Sequence, residues 1–202
     1  ALYEKAELHR LGGELAKADE CYRAAGEWGH ETQPGLALLR LAQGRTDAAL
    51  AGIRRALDET LPPISRPRLL AAQVEISLAA GDGETARQAA DELDRISRDL
   101  DAPYVRALAA QADARVLLAE DDPMAALALA RRAWTIWQRL DVPFEAARSR
   151  ALVGLASRRI GDLDTAEVEL GAARSVFEGL NAVTELRALG EQARSPSDGD
   201  GV

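Results

Sequence analysis

A turn residue followed five positions later by alanine recurs along the chain, and this spacing constrains the fold more than any other feature. The pairs are Gly13/Ala18, Gly44/Ala49, Gly81/Ala86, Asp121/Ala126 and Gly161/Ala166. The turn positions advance by 31 (44−13), 37 (81−44), 40 (121−81) and 40 (161−121) residues. A repeat of this period is one supersecondary unit that cannot bury its apolar face alone, so copies must stack. The last two units also share a lead-in. Leu100-Asp101-Ala102-Pro103-Tyr104 returns as Leu140-Asp141-Val142-Pro143-Phe144, and a weaker copy begins at Leu180-Asn181-Ala182-Val183 without the proline.

Each unit reads as two helices around a tight turn. Proline in a first helical turn costs nothing, because its missing N–H would be unpaired there; Pro34, Pro103 and Pro143 fit that role. The turn glycine takes the left-handed backbone that ends helices. An acidic or hydroxyl residue then caps the second helix: Thr46, Asp82, Asp122 and Asp162. The alanine falls where the two helices cross closest. A further small residue (Ala25, Ala56, Ala133 or Ala173) continues the seam, with Leu93 the exception. The pattern predicts helices over 2–11, 14–26, 35–43, 46–59, 64–80, 83–99, 103–120, 123–139, 143–160, 163–179 and 182–193. The last has one apolar stripe, Leu186, Leu189 and Ala193, and reads as a solvating end cap. Residues 1–193 form the repeat domain, and 194–202, with Ser195-Pro196-Ser197-Asp198-Gly199, read as a disordered tail or linker. Because small residues in fixed phase let neighbours nest, the stack is expected to grow lengthwise rather than close around one centre.

Composition agrees. Nearly half the residues (47%) are apolar but only 4% are aromatic, and alanine and leucine, both good helix formers, supply most of the apolar surface. An all-α fold follows. A net charge of −8 argues against direct nucleic acid binding by this segment, since such binding draws on clustered cations. Cys21 is alone, so no intrachain disulfide forms and a reducing cytoplasm is the expected location. No apolar run reaches the roughly 18 residues needed to cross a bilayer, so no membrane partner is expected. Ala1-Leu2-Tyr3-Glu4-Lys5 opens in an amphipathic pattern rather than a leader, and the missing initial methionine leads to the expectation of a fragment whose N-terminus lies upstream.

Motifs for chemistry are missing. There is no phosphate-binding glycine loop, dinucleotide fingerprint or nucleophile elbow. His9 and His30 have no metal-ligand partner at helical spacing, and Cys21 has no nearby catalytic histidine, reading as a small buried filler. Asp162-Leu163-Asp164 lacks the central glycine of a calcium loop, and its twelfth position is Ala173. The expectation is a protein that is not an enzyme and needs no cofactor. Trp134 and Trp137 share a helix face and read as core plugs or as an aromatic partner contact; Trp28, Phe144 and Phe177 read likewise.

The glycine-to-alanine spacing is the tetratricopeptide pattern, although the last units approach forty residues and the usual aromatic positions are mostly missing. This longer, alanine-rich style resembles the helical repeats of bacterial LuxR-type transcription regulators, including MalT-like ones. Leu8-His9-Arg10-Leu11, Cys21-Tyr22-Arg23-Ala24-Ala25, Gln33-Pro34-Gly35-Leu36-Ala37-Leu38-Leu39-Arg40-Leu41-Ala42-Gln43-Gly44-Arg45 and Ala51-Gly52-Ile53-Arg54-Arg55-Ala56-Leu57 look like that group's segment before its DNA-binding domain. The resemblance implies a right-handed superhelical solenoid of about five repeats plus a capping helix. It also implies a C-terminal helix-turn-helix domain that these residues do not contain.

In tetratricopeptide stacks the first helix of each pair lines the concave groove. Carried over, this places Arg68, Glu75, Gln111, Arg115, Arg148, Arg158 and Arg159 on or near a groove for a ligand or partner. Arginine forks suit carboxylate or phosphate, which points to an anion or an acidic peptide. The alternative is that these arginines pair with neighbouring carboxylates on a solvated surface. The expected function is a non-catalytic region that binds a protein, a peptide, a small effector or a second copy of itself, and relays binding to the DNA-binding domain. A free-standing adaptor that docks a protein or peptide is the alternative.

Overall fold

The left-handed turn that the repeat demands occurs in every copy. In the computed structural model, which describes residues 1–59 and 64–192 except for the side chain of Gln192, Gly13, Gly44, Gly81 and Gly161 have φ of 75°, 73°, 75° and 91°. Asp121 takes the same region at φ 62°. Aspartate and asparagine tolerate it better than other side-chain-bearing residues because a short polar side chain can bond locally. The return turns use the same device, with Gly29 at φ 73°, Asp101 at 43°, Asp141 at 55° and Asn181 at 53°.

Between these turns run eleven helices among the described residues, and no strand. They are α1 (Leu2–Leu11), α2 (Leu15–Glu27), α3 (Gly35–Ala42), α4 (Thr46–Asp58), α5 (Arg66–Ala79), α6 (Gly83–Leu100), α7 (Pro103–Ala119), α8 (Pro123–Arg139), α9 (Pro143–Ile160), α10 (Leu163–Gly179) and α11 (Val183–Gln192). The predicted helices match these in order and nearly in length. Ala193, the proposed tail 194–202 and the segment 60–63 lie outside the described residues.

Caps follow the local chemistry, with two corrections. Asp82, Asp122 and Asp162 accept from the backbone N–H of Thr85 (3.0 Å), Ala125 (3.1 Å) and Thr165 (3.1 Å). Thr46 does not cap: the cap position is one residue after the turn residue, and in the second unit Arg45 occupies it with no side-chain bond. Pro103 and Pro143 are the first residues of α7 and α9, whereas Pro34 stands one residue before α3. The seam alanines Ala18, Ala49, Ala86, Ala126 and Ala166 are all buried, as are Ala25, Ala56, Leu93, Ala133 and Ala173. Phe177 and Trp137 are core, and Phe144 packs against the core at its edge. Trp28 is not core; it follows the last turn of α2 and is 76% exposed. Cys21 is half-buried.

Two layers result. The odd-numbered helices touch one another in succession from α1 to α9, while no two even-numbered helices meet to a comparable extent among the described residues. The odd helices are therefore the inner layer and the even ones the outer. Inner and outer helices can come very close: a Cβ on Gly154 of α9 would lie 2.6 Å from Leu170 of α10. Because only the inner layer is drawn together, each unit is wedge-shaped and the stack curls.

The curl brings α11 back to α1. Thr184 Oγ1 donates to the Leu11 carbonyl at 3.2 Å, and Val183 stands so near Gly13 that a Cβ there would meet it at 3.3 Å. Consecutive packing is thus as the repeat predicts, but the expectation of purely lengthwise growth is corrected: the two ends of the described helices meet. No described helix is long and apolar enough to cross a membrane.

Candidate functional site

Helical spacing sets which polar residues of the inner layer face one another. Glu145 and Arg148 lie one turn apart on α9, as do Glu7 and Arg10 on α1, so each pair shares a face. Arg148 Nη2 donates to Glu75 Oε2 of α5. Its other nitrogens stand 3.7 Å from Glu145 Oε1 and 3.7 Å from Glu185 Oε1 of α11. One guanidinium therefore joins α5, α9 and α11, with its side chain only 16% exposed. It also lies over the Phe144 ring, 5.8 Å from the centroid.

A second group adjoins on α1 and α2. Arg10 donates to Glu7 at 2.7 Å, and the Tyr22 hydroxyl donates to the other oxygen of Glu7. Tyr3 meets Tyr22 edge-on at 5.8 Å. The two groups feel each other electrostatically: burial pushes the Glu75 carboxyl up, but Arg148, Arg115 and Arg10 outweigh it and hold it well below the usual carboxylate range. Burial likewise works against charge on Arg148 and Arg10, and the glutamates overcome it, raising both. Burial and the charge of Glu7 push the Tyr22 hydroxyl up, so it stays a proton donor.

Arg115 differs. Burial lowers it and the like charge of Arg148 lowers it further, against the weaker pull of Glu75, Glu145 and Glu185. Among the described residues its guanidinium makes neither a hydrogen bond nor an ion pair. Arg115 itself is half-buried; the buried atoms of these helices that make no hydrogen bond among the described residues include Gln111 Nε2, Arg148 Nε, Arg10 Nε and Glu145 Oε2.

The residues singled out in the sequence thus divide. Glu75 and Arg148 bond to each other within the inner layer, and Arg115 feels the charge of both. Gln111 is buried between α7 and α8, where its Oε1 accepts from Trp137 Nε1 at 3.3 Å. Arg68 is exposed, 6.0 Å from the Tyr3 ring. Arg158 is half-buried on α9. Arg159 is exposed and donates to the Leu118 carbonyl at 2.6 Å, which ties it to the end of α7. Arg10, Glu7, Glu145 and Glu185 were missed. Glu145 could have been found from its spacing to Arg148; the others come from α1 and α11, far from α5 and α9 in sequence.

A cleft of about 180 Å³ lies apart from this cluster, between α6, α7 and α8, lined by Asp94, Arg98, Asp101, Arg106, Asp113 and Arg132 among others. Burial, and then the charge of Asp94, push the Asp113 carboxyl up to about 6. On the outer layer Trp134 is half-buried, with the Arg150 guanidinium 5.3 Å from its ring. His9 bonds to Glu14, and His30 is exposed. No three His, Cys, Asp or Glu among the described residues are grouped to hold a metal ion.

No protein-family model matches the chain, and no curated protein matches it. What stands is an all-α chain of helices packed in consecutive order, consistent with a helical repeat, with partly buried charges paired on the inner helices.

Proposed function

We propose that this chain is a non-catalytic binding module, a tetratricopeptide-like right-handed superhelix of about five repeats closed by a capping helix. It receives a protein, peptide or small effector on its inner face and relays that event to a DNA-binding domain outside these residues, as in the LuxR-type regulators it resembles. One observation carries the reading: Arg148 alone holds carboxylates from α5, α9 and α11. A ligand that competes for these partners changes the hold on α11, the last described helix. A ligand shifts an equilibrium only through its preference for one arrangement, and this cluster offers such a difference.

The test is transcriptional. In the full-length protein, Arg148→Ala is expected to change output from its target promoter at unchanged protein level, with helix content checked by circular dichroism. Unchanged output overturns the relay. A full-length chain with no DNA-binding domain does so as well, and leaves a free-standing adaptor.

A further inference from the structure

We propose that the cleft between α6, α7 and α8 is a binding site for a guanidinium group, carried by a small solute or by an arginine side chain and received against Asp94 and Asp113.

The repeat itself shows what fills this place elsewhere. The turn residues 81, 121 and 161 set α5, α7 and α9 forty positions apart, so Leu70, Ala110 and Arg150 occupy one position of the repeat. On α5 that position is filled by Leu70, which is 1% exposed and clusters with Leu57 of α4 and Ala89 of α6. On α9 it is filled by Arg150, whose guanidinium lies 5.3 Å from the Trp134 ring of α8 and donates to Glu169 of α10 at 2.6 Å. On α7 there is only the methyl of Ala110, and there the cleft of about 180 Å³ opens. In the same register Asp94 stands where α8 has Trp134, and Asp113 stands where α9 has Val153. One seam of the stack thus holds a guanidinium of its own; the seam before it has the space and two carboxylates beside it.

The charges agree. Arg87 Nη1 lies 3.3 Å from the Asp113 carboxylate, but both oxygens of Glu120 also accept from Arg87, and Asp91 stands 3.8 Å away. Asp94 is bonded to Arg98. Four carboxylates therefore share two arginines. Arg106 is neutralised by Asp101, and with Arg132 of α8 counted, one negative charge is still uncompensated. Burial and the charge of Asp94 raise the Asp113 carboxyl to about 6, and a cation in the cleft would relieve that pressure. Guanidinium is more weakly hydrated than ammonium, and its planar fork suits a carboxylate that keeps only 18% of its side-chain surface exposed. Its alkyl chain would lie along Ala109, Ala110 and Leu129, while Arg132 disfavours a second cationic group.

The test is a titration of the whole chain with ethylguanidinium chloride at pH 7.5 and constant ionic strength, followed by the backbone amide signals. Saturable shifts are expected at Ala109, Ala110 and Asp113, with none when sodium chloride replaces the probe. Asp113→Asn removes a carboxylate whose charge is unfavourable, so it should fold at least as stably as the native chain; it should weaken binding at least tenfold. Native binding should fall several-fold from pH 7.5 to pH 5, because the cation binds the charged form of Asp113. Ala110→Arg supplies the guanidinium from the chain itself, as Arg150 does one unit on, and should raise Tm and abolish the shifts. Free L-arginine compared with a blocked Gly-Arg-Gly peptide separates a solute from a partner's side chain as the source. No saturable shift with ethylguanidinium, or undiminished binding by Asp113→Asn, overturns the site.

Discussion

The inner helix α7 and the outer helix α8 are the same length, yet α7 buries ten residues, Val105, Ala107 to Ala112, Ala114, Val116 and Leu118, and α8 only Ala126, Ala130, Ala133 and Trp137. The outer helix shows one apolar stripe and spends the rest of its surface on solvent. The inner helix has neighbours on nearly every side. A polar residue on an outer helix is ordinary; on an inner helix it is more often covered by neighbouring helices and must then be accounted for. That is why Arg115, Arg148 and Glu75 carry information that Arg95 or Arg139 does not.

The comparison can be broken first at the contact between the layers. Trp137 is fully buried, lies edge-on to Tyr104 at 5.3 Å and bonds Gln111. Trp137→Ala should cost about 3–5 kcal/mol in urea unfolding, the range for truncating a large buried aromatic. A loss under 1 kcal/mol, by order of magnitude, would show that the layers do not depend on it.

The charged inner cluster comes next. Arg148→Ala leaves three carboxylates without their shared cation and should cost roughly 2–3 kcal/mol at neutral pH. The pH dependence gives the sign. Glu75 titrates below its unfolded value of 4.5, so its contribution is present above that pH and is lost as pH falls through the depressed folded value. Stability of the native sequence should therefore drop below about pH 4.5, and Arg148→Ala should flatten that drop. An equal slope in both proteins would place the acid sensitivity elsewhere.

The smallest effect belongs to Asp113, in the cleft bordered by the outer helices α6 and α8. Its carboxyl is raised to about 6 from 3.8, so charge there is unfavourable: stability is fullest below 3.8 and is lost as pH rises through about 6. The facing groups are Asp94, Asp91, Arg87 and Arg98 on α6, and Arg87 lies 3.3 Å from the carboxylate. Asp113→Asn should stabilise by roughly 1 kcal/mol at pH 7.5, after allowing for the weakened Arg87 pair, and by almost nothing at pH 4. Thermal scans at the two pH values decide it.

Much of this was legible in the sequence, for a physical reason: turns, caps and seam alanines are short-range choices. The turn-to-alanine spacing located every helix pair, with Asp121 standing in for glycine in the fourth, and the repeated Leu-Asp or Leu-Asn before α7, α9 and α11 coincides with matching turns. The failures share another cause. Trp28 was read as core from residue type, but α2 ends before it can be covered. Gln111 was assigned to a groove by its position along α7, yet it turns to Trp137. Glu185 and Arg10 were invisible because they meet Arg148 and Glu75 from helices distant in sequence, a meeting set by how the units tilt, which no local pattern encodes.

The meeting of α11 with α1 alters how the array comes apart. A linear array of repeats loosens from its extremities, where each terminal element has one neighbour. Here the first and last described helices are neighbours, so fraying either one also breaks a contact of the other. The repeats are coupled around a loop rather than along a line, and such a loop favours melting as one cooperative unit.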